Sequence, residues 1–175
     1  VFEQTYTRFL DLQKAETQVR EAQIEAALEK VRSKSLAMHR SDELEQVAAC
    51  LFEVVVGLGI TMDGALLFVF NRESSSIGLW IATVQLTDPI SIDLPFEEEM
   101  KENEIIQEFW NAVEQGSQVL NRVYTGVAKD DYFRYVQRYN GSKIPDQIKQ
   151  LEIDLTSWCF TFAAEKNTML GLDSW

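Results

Sequence analysis

Glycine and proline are missing from the first 56 residues; all eight glycines and all three prolines lie beyond them. These residues punctuate local structure, so their absence leaves a helix little reason to stop. Cysteine is scarce. Cys50 and Cys159 are too few for a disulfide scaffold, and the low count fits a reducing, cytoplasmic setting. Histidine occurs once, at His39, which leaves three His or Cys side chains in all, where a closed zinc site needs four ligands. Positive charge is outnumbered, 16 Lys and Arg against 28 Asp and Glu, for a net charge of −12. Such a chain repels phosphate, which argues against nucleic acid and against an anionic bilayer surface as partners. No apolar run nears the ~18 residues that span a bilayer. The start, Val1-Phe2-Glu3-Gln4, has no basic-then-apolar leader and no initiator Met, so it reads as a piece of a longer chain.

What is present first is a long stretch of good helix formers, Ala, Glu, Gln, Lys, Arg and Leu, from Val1 to about Met38. At ~1.5 Å per residue one helix would run roughly 55 Å, longer than a small domain is wide. Its apolar stripe drifts: Phe2, Tyr6 and Phe9, then Leu12, Ala15, Val19, Ala22 and Ala26, then Ile24, Leu28, Val31 and Met38. A strict heptad would mark one coiled-coil seam; a drifting stripe implies stutters or a change of partner. The length favours a homodimer through this helix, of undetermined strand direction. The competing reading is an amphipathic helix packed on its own domain.

Ser41 is placed as the cap of a second helix from Asp42 to about Val56, ended by Gly57 and Gly59. Strands are predicted over Ala65–Phe70, Gly78–Gln85 and Ile90–Leu94, then a helix from Glu97 to Gln115. A strand over Gln118–Tyr124, a helix capped by Asp130, a short helix opened by Pro145 and a hairpin of Leu155–Ala163 with Thr168–Leu172 complete the chain. Strands in hairpins rather than in βαβ alternation give an α+β fold: a long N-terminal helix, then a mainly antiparallel sheet of five or six strands flanked by helices.

Two stretches carry a resemblance. Val1–Glu16 (VFEQTYTRFLDLQKAE) resembles the helix that leaves one sensory domain and enters the next in bacterial sensor proteins of the two-component histidine-kinase type. Ala22–Leu44 (AQIEAALEKVRSKSLAMHRSDEL) is similar to the segment that opens the following GAF-like domain there. The resemblance implies residues 1–40 as a linker and dimerisation helix and residues 41–175 as a GAF-like sensory domain. It implies helices on one side of the sheet, a small-molecule pocket on the other and a closing helix removed at the C-terminus. The expected function is a cytoplasmic regulatory module that relays a signal through a dimeric helix. The alternative is a ligand-free dimerisation and spacer module.

Catalytic chemistry finds little support. A phosphoacceptor box has an acidic residue after its histidine and a proline five residues after it; here Arg40 and Leu44 stand there. No glycine-rich phosphate loop is present, so the fragment is not expected to be an enzyme. Glu97-Glu98-Glu99 lacks EF-hand spacing and reads as a solvated run at a helix start. Cys159, between Trp158 and Phe160, is expected to be inert in an apolar strand, and no motif around Cys50 supports bilin attachment. Lys166-Asn167 does not reproduce a cyclic-nucleotide signature. No metal and no cofactor is expected. The second half is dense in aromatics, as apolar small-molecule pockets are. Trp80, Thr83, Tyr124, Tyr132 and Trp158 are the candidate ligand-binding residues, with ordinary core packing as the competing reading.

Overall fold

The computed structural model describes residues 2–38, 43–95, 97, 101–116 and 118–175. Its elements run α1 (Phe2–Leu36), α2 (Leu44–Gly57), β1 (Gly64–Asn71), β2 (Ser76–Thr83), β3 (Ile90–Pro95), α3 (Glu104–Gln115), β4 (Gln118–Thr125), α4 (Gly126–Asn140), α5 (Asp146–Asp154), β5 (Ser157–Glu165) and β6 (Thr168–Ser174). The six strands form one open sheet in the order β3-β2-β1-β6-β5-β4, every neighbouring pair antiparallel. This is the α+β class expected, with a fully antiparallel sheet.

Strand alternation divides the sheet into two faces. One carries Leu66, Phe68 and Phe70 of β1, Ile77 and Leu79 of β2, Trp158, Phe160 and Phe162 of β5 and Met169 of β6, all buried. Onto it pack α3 through Ile105, Ile106, Phe109, Ala112 and Val113, and α4 through Tyr132, Phe133, Tyr135 and Val136. Phe109 is at the centre, fully buried, with Phe68, Phe160 and Phe162 rings 5.1–5.5 Å from its own. The opposite face carries a smaller cluster, Ala65 with Val55 and Met62, against which Leu51, Phe52 and Leu172 pack. Helices therefore cover both faces: α2 the back, α3 to α5 the front. The one-sided arrangement implied by the resemblance is not what the chain adopts, because α2 has its own apolar stripe to bury.

The long helix does not stand apart along its whole length. Arg20 donates to the Leu58 carbonyl at 2.6 Å, Lys30 pairs with Glu53 at 3.2 Å, and Lys34 donates to Gln46 at 2.7 Å. As numbers rise in α1 they fall in the partner, so the C-terminal half of α1 runs antiparallel along α2. The N-terminal half projects past the end of α2, and every side chain from Gln4 to Ala26 is exposed.

Several boundaries differ from expectation for local reasons. The α3 helix begins at Glu104, not Glu97, because Asn103 takes an extended conformation and accepts from the Ile105 and Ile106 amides at 3.0 and 3.3 Å. The α4 helix begins at Gly126, with Thr125 rather than Asp130 before it. The β2 strand ends at Thr83, where the chain turns and the Leu86 amide donates to the Thr83 carbonyl at 3.2 Å. The Ser41 cap, Asp42, His39, Glu98 and Glu99 lie outside the described residues.

Candidate functional site

Three of the five predicted residues meet at one cavity between the sheet's front face and the helices α4 and α5. Thr83 of β2, Tyr132 of α4 and Trp158 of β5 line it, with Leu66, Leu79 and Ile81 forming the sheet wall. The enclosed volume is about 30 Å³, enough for a water or two. Tyr132 and Trp158 stack at 5.3 Å with their planes 14° apart. The half-buried Leu86, Ile90 and Trp175 form the more exposed part of the lining.

The other two predicted residues lie elsewhere. Trp80 is on the back of the sheet, out of phase with Leu79, Ile81 and Thr83, its ring laid over Gly78, where a Cβ would come within 2.8 Å of it. In a strand, residues an odd number apart cannot share a face, so Trp80 and Thr83 exclude each other as co-lining residues. Tyr124 is one ring removed from the cavity: it packs against Trp158 at 5.5 Å while its hydroxyl donates to Glu108 Oε2 at 2.7 Å. Arg122 joins the same carboxylate through Nε at 2.5 Å, so the Tyr124 hydroxyl is held by Glu108, which with Arg122 lines an open polar groove between α3 and β4. Burial first, then the Glu108 hydrogen bond, pushes the Tyr124 phenol above its ordinary range.

The polar lining was not expected from the sequence. Asp173 of β6 and Glu152 of α5 face the cavity, only 4% and 8% exposed. Asp173 Oδ2 accepts from the Trp158 indole N–H at 3.1 Å. Its Oδ1 sits over Gly64, where a Cβ would approach it to 2.5 Å, and has no hydrogen-bond partner among the described residues. Glu152 Oε2 accepts from the Gln137 amide at 2.8 Å. Burial pushes both carboxyls up to about 7, Asp173 despite the Trp158 hydrogen bond and Glu152 despite that from Gln137. Their proximity also lifts the Tyr132 phenol, whose burial is the larger cause. Lys129, 1% exposed, lies behind Glu152: its Nζ is 2.6 Å from Asp130 Oδ1 and 3.4 Å from the Glu152 carbonyl oxygen, over the Phe133 ring. A sequence signal for Asp173 existed, since Met169, Gly171 and Asp173 keep the period of a strand's buried face. The strand runs to Ser174, two residues beyond the expected end at Leu172, and so includes Asp173.

Both cysteines are free, Cys50 buried and Cys159 half-buried. Cys159 points to the back of the sheet, away from the flanking Trp158 and Phe160, rather than into the apolar core. Among the described residues no cluster of His, Cys, Asp and Glu could hold a metal ion, and no helix is long and apolar enough to cross a membrane. No family model matches the chain, and a search of curated proteins finds no match to it.

Proposed function

We propose that the chain is a cytoplasmic regulatory module of a bacterial two-component sensor histidine kinase. In it a GAF-like domain, residues 41–175, biases a linker helix, residues 1–40, that pairs with its copy. The observation that carries this reading is the position of α2. It packs on the back of β1 and β2, whose front faces wall the cavity, and it is tied to α1 through Gln46 and Glu53 and, just past its end, through the Leu58 carbonyl. A change in the cavity that shifts β1 and β2 therefore acts on α2, and through α2 on the direction in which α1 leaves the domain. Beyond that contact α1 presents Tyr6, Phe9, Leu12 and Val19, each more than half exposed. A second copy of the helix offers the same apolar surface in return. Packed helices have discrete registers, so a small bias can select between two states.

Sedimentation at micromolar concentration tests the dimer. The expected result is a dimer, converted to monomer by the triple change Tyr6→Ala, Phe9→Ala, Leu12→Ala. A monomeric parent chain would remove the relay between protomers. In the full-length sensor, Ser33→Leu with Ser35→Leu is expected to lock one helix register and fix the output high or low.

The small enclosed volume favours a second reading, a dimerisation and spacer module with no ligand. A thermal-shift screen against small metabolites separates the two, because a ligand at about 100 times its Kd adds about 2.7 kcal/mol of stability. Silence across a broad library supports the spacer.

A further inference from the structure

The polar lining of the cavity is of one sign and incompletely matched. Asp173 Oδ2 holds the Trp158 indole, while Oδ1 of the same carboxyl makes no well-formed hydrogen bond among the described residues, although the Gly64 and Asp173 amides lie close enough to favour its charged form and Asp63 opposes it. Glu152, on α5, lines the same cavity. Lys129, the buried cation beside Glu152, is already engaged by Asp130. In its ionised form the carboxyl accepts hydrogen bonds and donates none, so a cationic donor is what completes Asp173 and holds it ionised. An anion would meet two carboxyls at once. A purely apolar guest would leave Oδ1 dry and unpaired, the costly outcome for a buried acceptor. The remaining walls include Tyr132 and Trp158, whose rings stack on each other and so hold the indole N–H against Asp173.

From this geometry we infer that the cavity takes the head of a small organic cation, a primary ammonium on a short unbranched apolar stem, with Asp173 Oδ1 as its first acceptor and Glu152 as its second. The enclosed space of about 30 Å³ admits the ammonium and a carbon or two. The rest of the stem leaves past Leu86, Ile90 and Trp175. Burial already disfavours the charged form of both carboxyls, and a bound ammonium restores it.

This inference deepens the sensory reading, since the cation would be the signal, yet its test is separable. Tryptophan fluorescence and calorimetry on the 175-residue chain, near neutral pH, compare three unbranched three-carbon probes: propylammonium, 1-propanol and propionate. Propylammonium is expected to saturate and to bind about tenfold or more tighter than propanol, as a charge-assisted bond requires, and propionate is expected not to bind. Asp173→Asn should weaken propylammonium about tenfold and leave propanol unchanged, with a smaller loss for Glu152→Gln. If either variant fails to fold by circular dichroism, the comparison of head groups on the unaltered chain decides alone. Equal affinity for propanol and propylammonium, tighter binding of propionate, or no saturation by propylammonium at millimolar concentration overturns the assignment. Absence of amine binding in an intact dimer removes the cationic ligand and leaves the relay. A monomer that binds propylammonium removes the relay and leaves the ligand.

Discussion

Asp173 and Glu152 lower the stability of the folded chain at the pH where they are ionised. Each carboxyl titrates near 7 when folded, against an ordinary 3.8 for Asp173 and 4.5 for Glu152. Between those values and 7 the folded chain binds more protons than the unfolded one, so stability falls as pH rises through that window and levels off above it. The two together amount to several kcal/mol, at about 1.4 kcal/mol per unit of pKa. Thermal melts of the parent chain should therefore drop between mildly acidic and mildly alkaline pH. Asp173→Asn with Glu152→Gln should flatten the drop and melt higher than the parent at alkaline pH. An unchanged pH profile would show that these carboxyls titrate normally. At the same scale, Gly171 is fixed by its neighbour: a Cβ there would fall within the Phe160 ring on the buried face. Gly171→Ala should cost about 1–3 kcal/mol, as overpacking of a filled core does, measured by urea denaturation. Single residues were the least legible part of the sequence. Tyr132, Thr83 and Trp158 stand out in the sequence only as polar or aromatic residues in a domain dense with them. Trp80 stands out on the same ground, yet its register puts it on the other face.

Elements were more legible than residues. All six strands and the long helices follow from hydrophobic spacing and from turns such as Lys166-Asn167, where Lys166 adopts φ 56° between β5 and β6. Helix starts were less legible, because a cap is one side chain in one conformation. Asn103 shows this: besides capping α3, its Nδ2 donates to the Ala128 carbonyl at 3.0 Å and so ties α3 to α4. Asn103→Ala should cost about 1 kcal/mol or more, a fall of about 2–4 °C in Tm for a domain of this size. Asn103→Asp keeps the cap and loses the tie, so it should fall between the two. Along α1 and α2 the polar ties weigh less. The Lys30–Glu53 pair is more than half exposed on both sides, where ion pairs contribute about 0–1 kcal/mol. Lys30→Ala should leave the melting temperature nearly unchanged.

At the scale of the whole molecule, the chain divides into a packed three-layer domain and a helix half whose side chains from Gln4 onward are all exposed. A chain lacking residues 1–18 should melt within a few degrees of the parent, since the side chains removed from Gln4 onward are all exposed, and should lose the proposed dimer in sedimentation. A large loss of stability on truncation would mean that this half packs on the domain after all. The expectation of one rod paired with a twin along its length gives way to a helix with two partners in sequence, α2 for the C-terminal half and open surface for the rest. The drifting stripe is consistent with this change of partner: Ala27 and Val31, near α2, are half-buried, while Tyr6, Phe9 and Leu12 are not.

By itself the sequence determined the elements, their antiparallel pairing and the fold class, because hydrophobic period and turn residues act over a few positions and are written in the chain. Tertiary structure alone decided which face each residue takes, where α1 folds against α2, and that Asp173 and Glu152, 21 positions apart, line one cavity. Those outcomes depend on strand register and on burial, which bring distant residues together and shift the chemistry of the carboxyls they enclose.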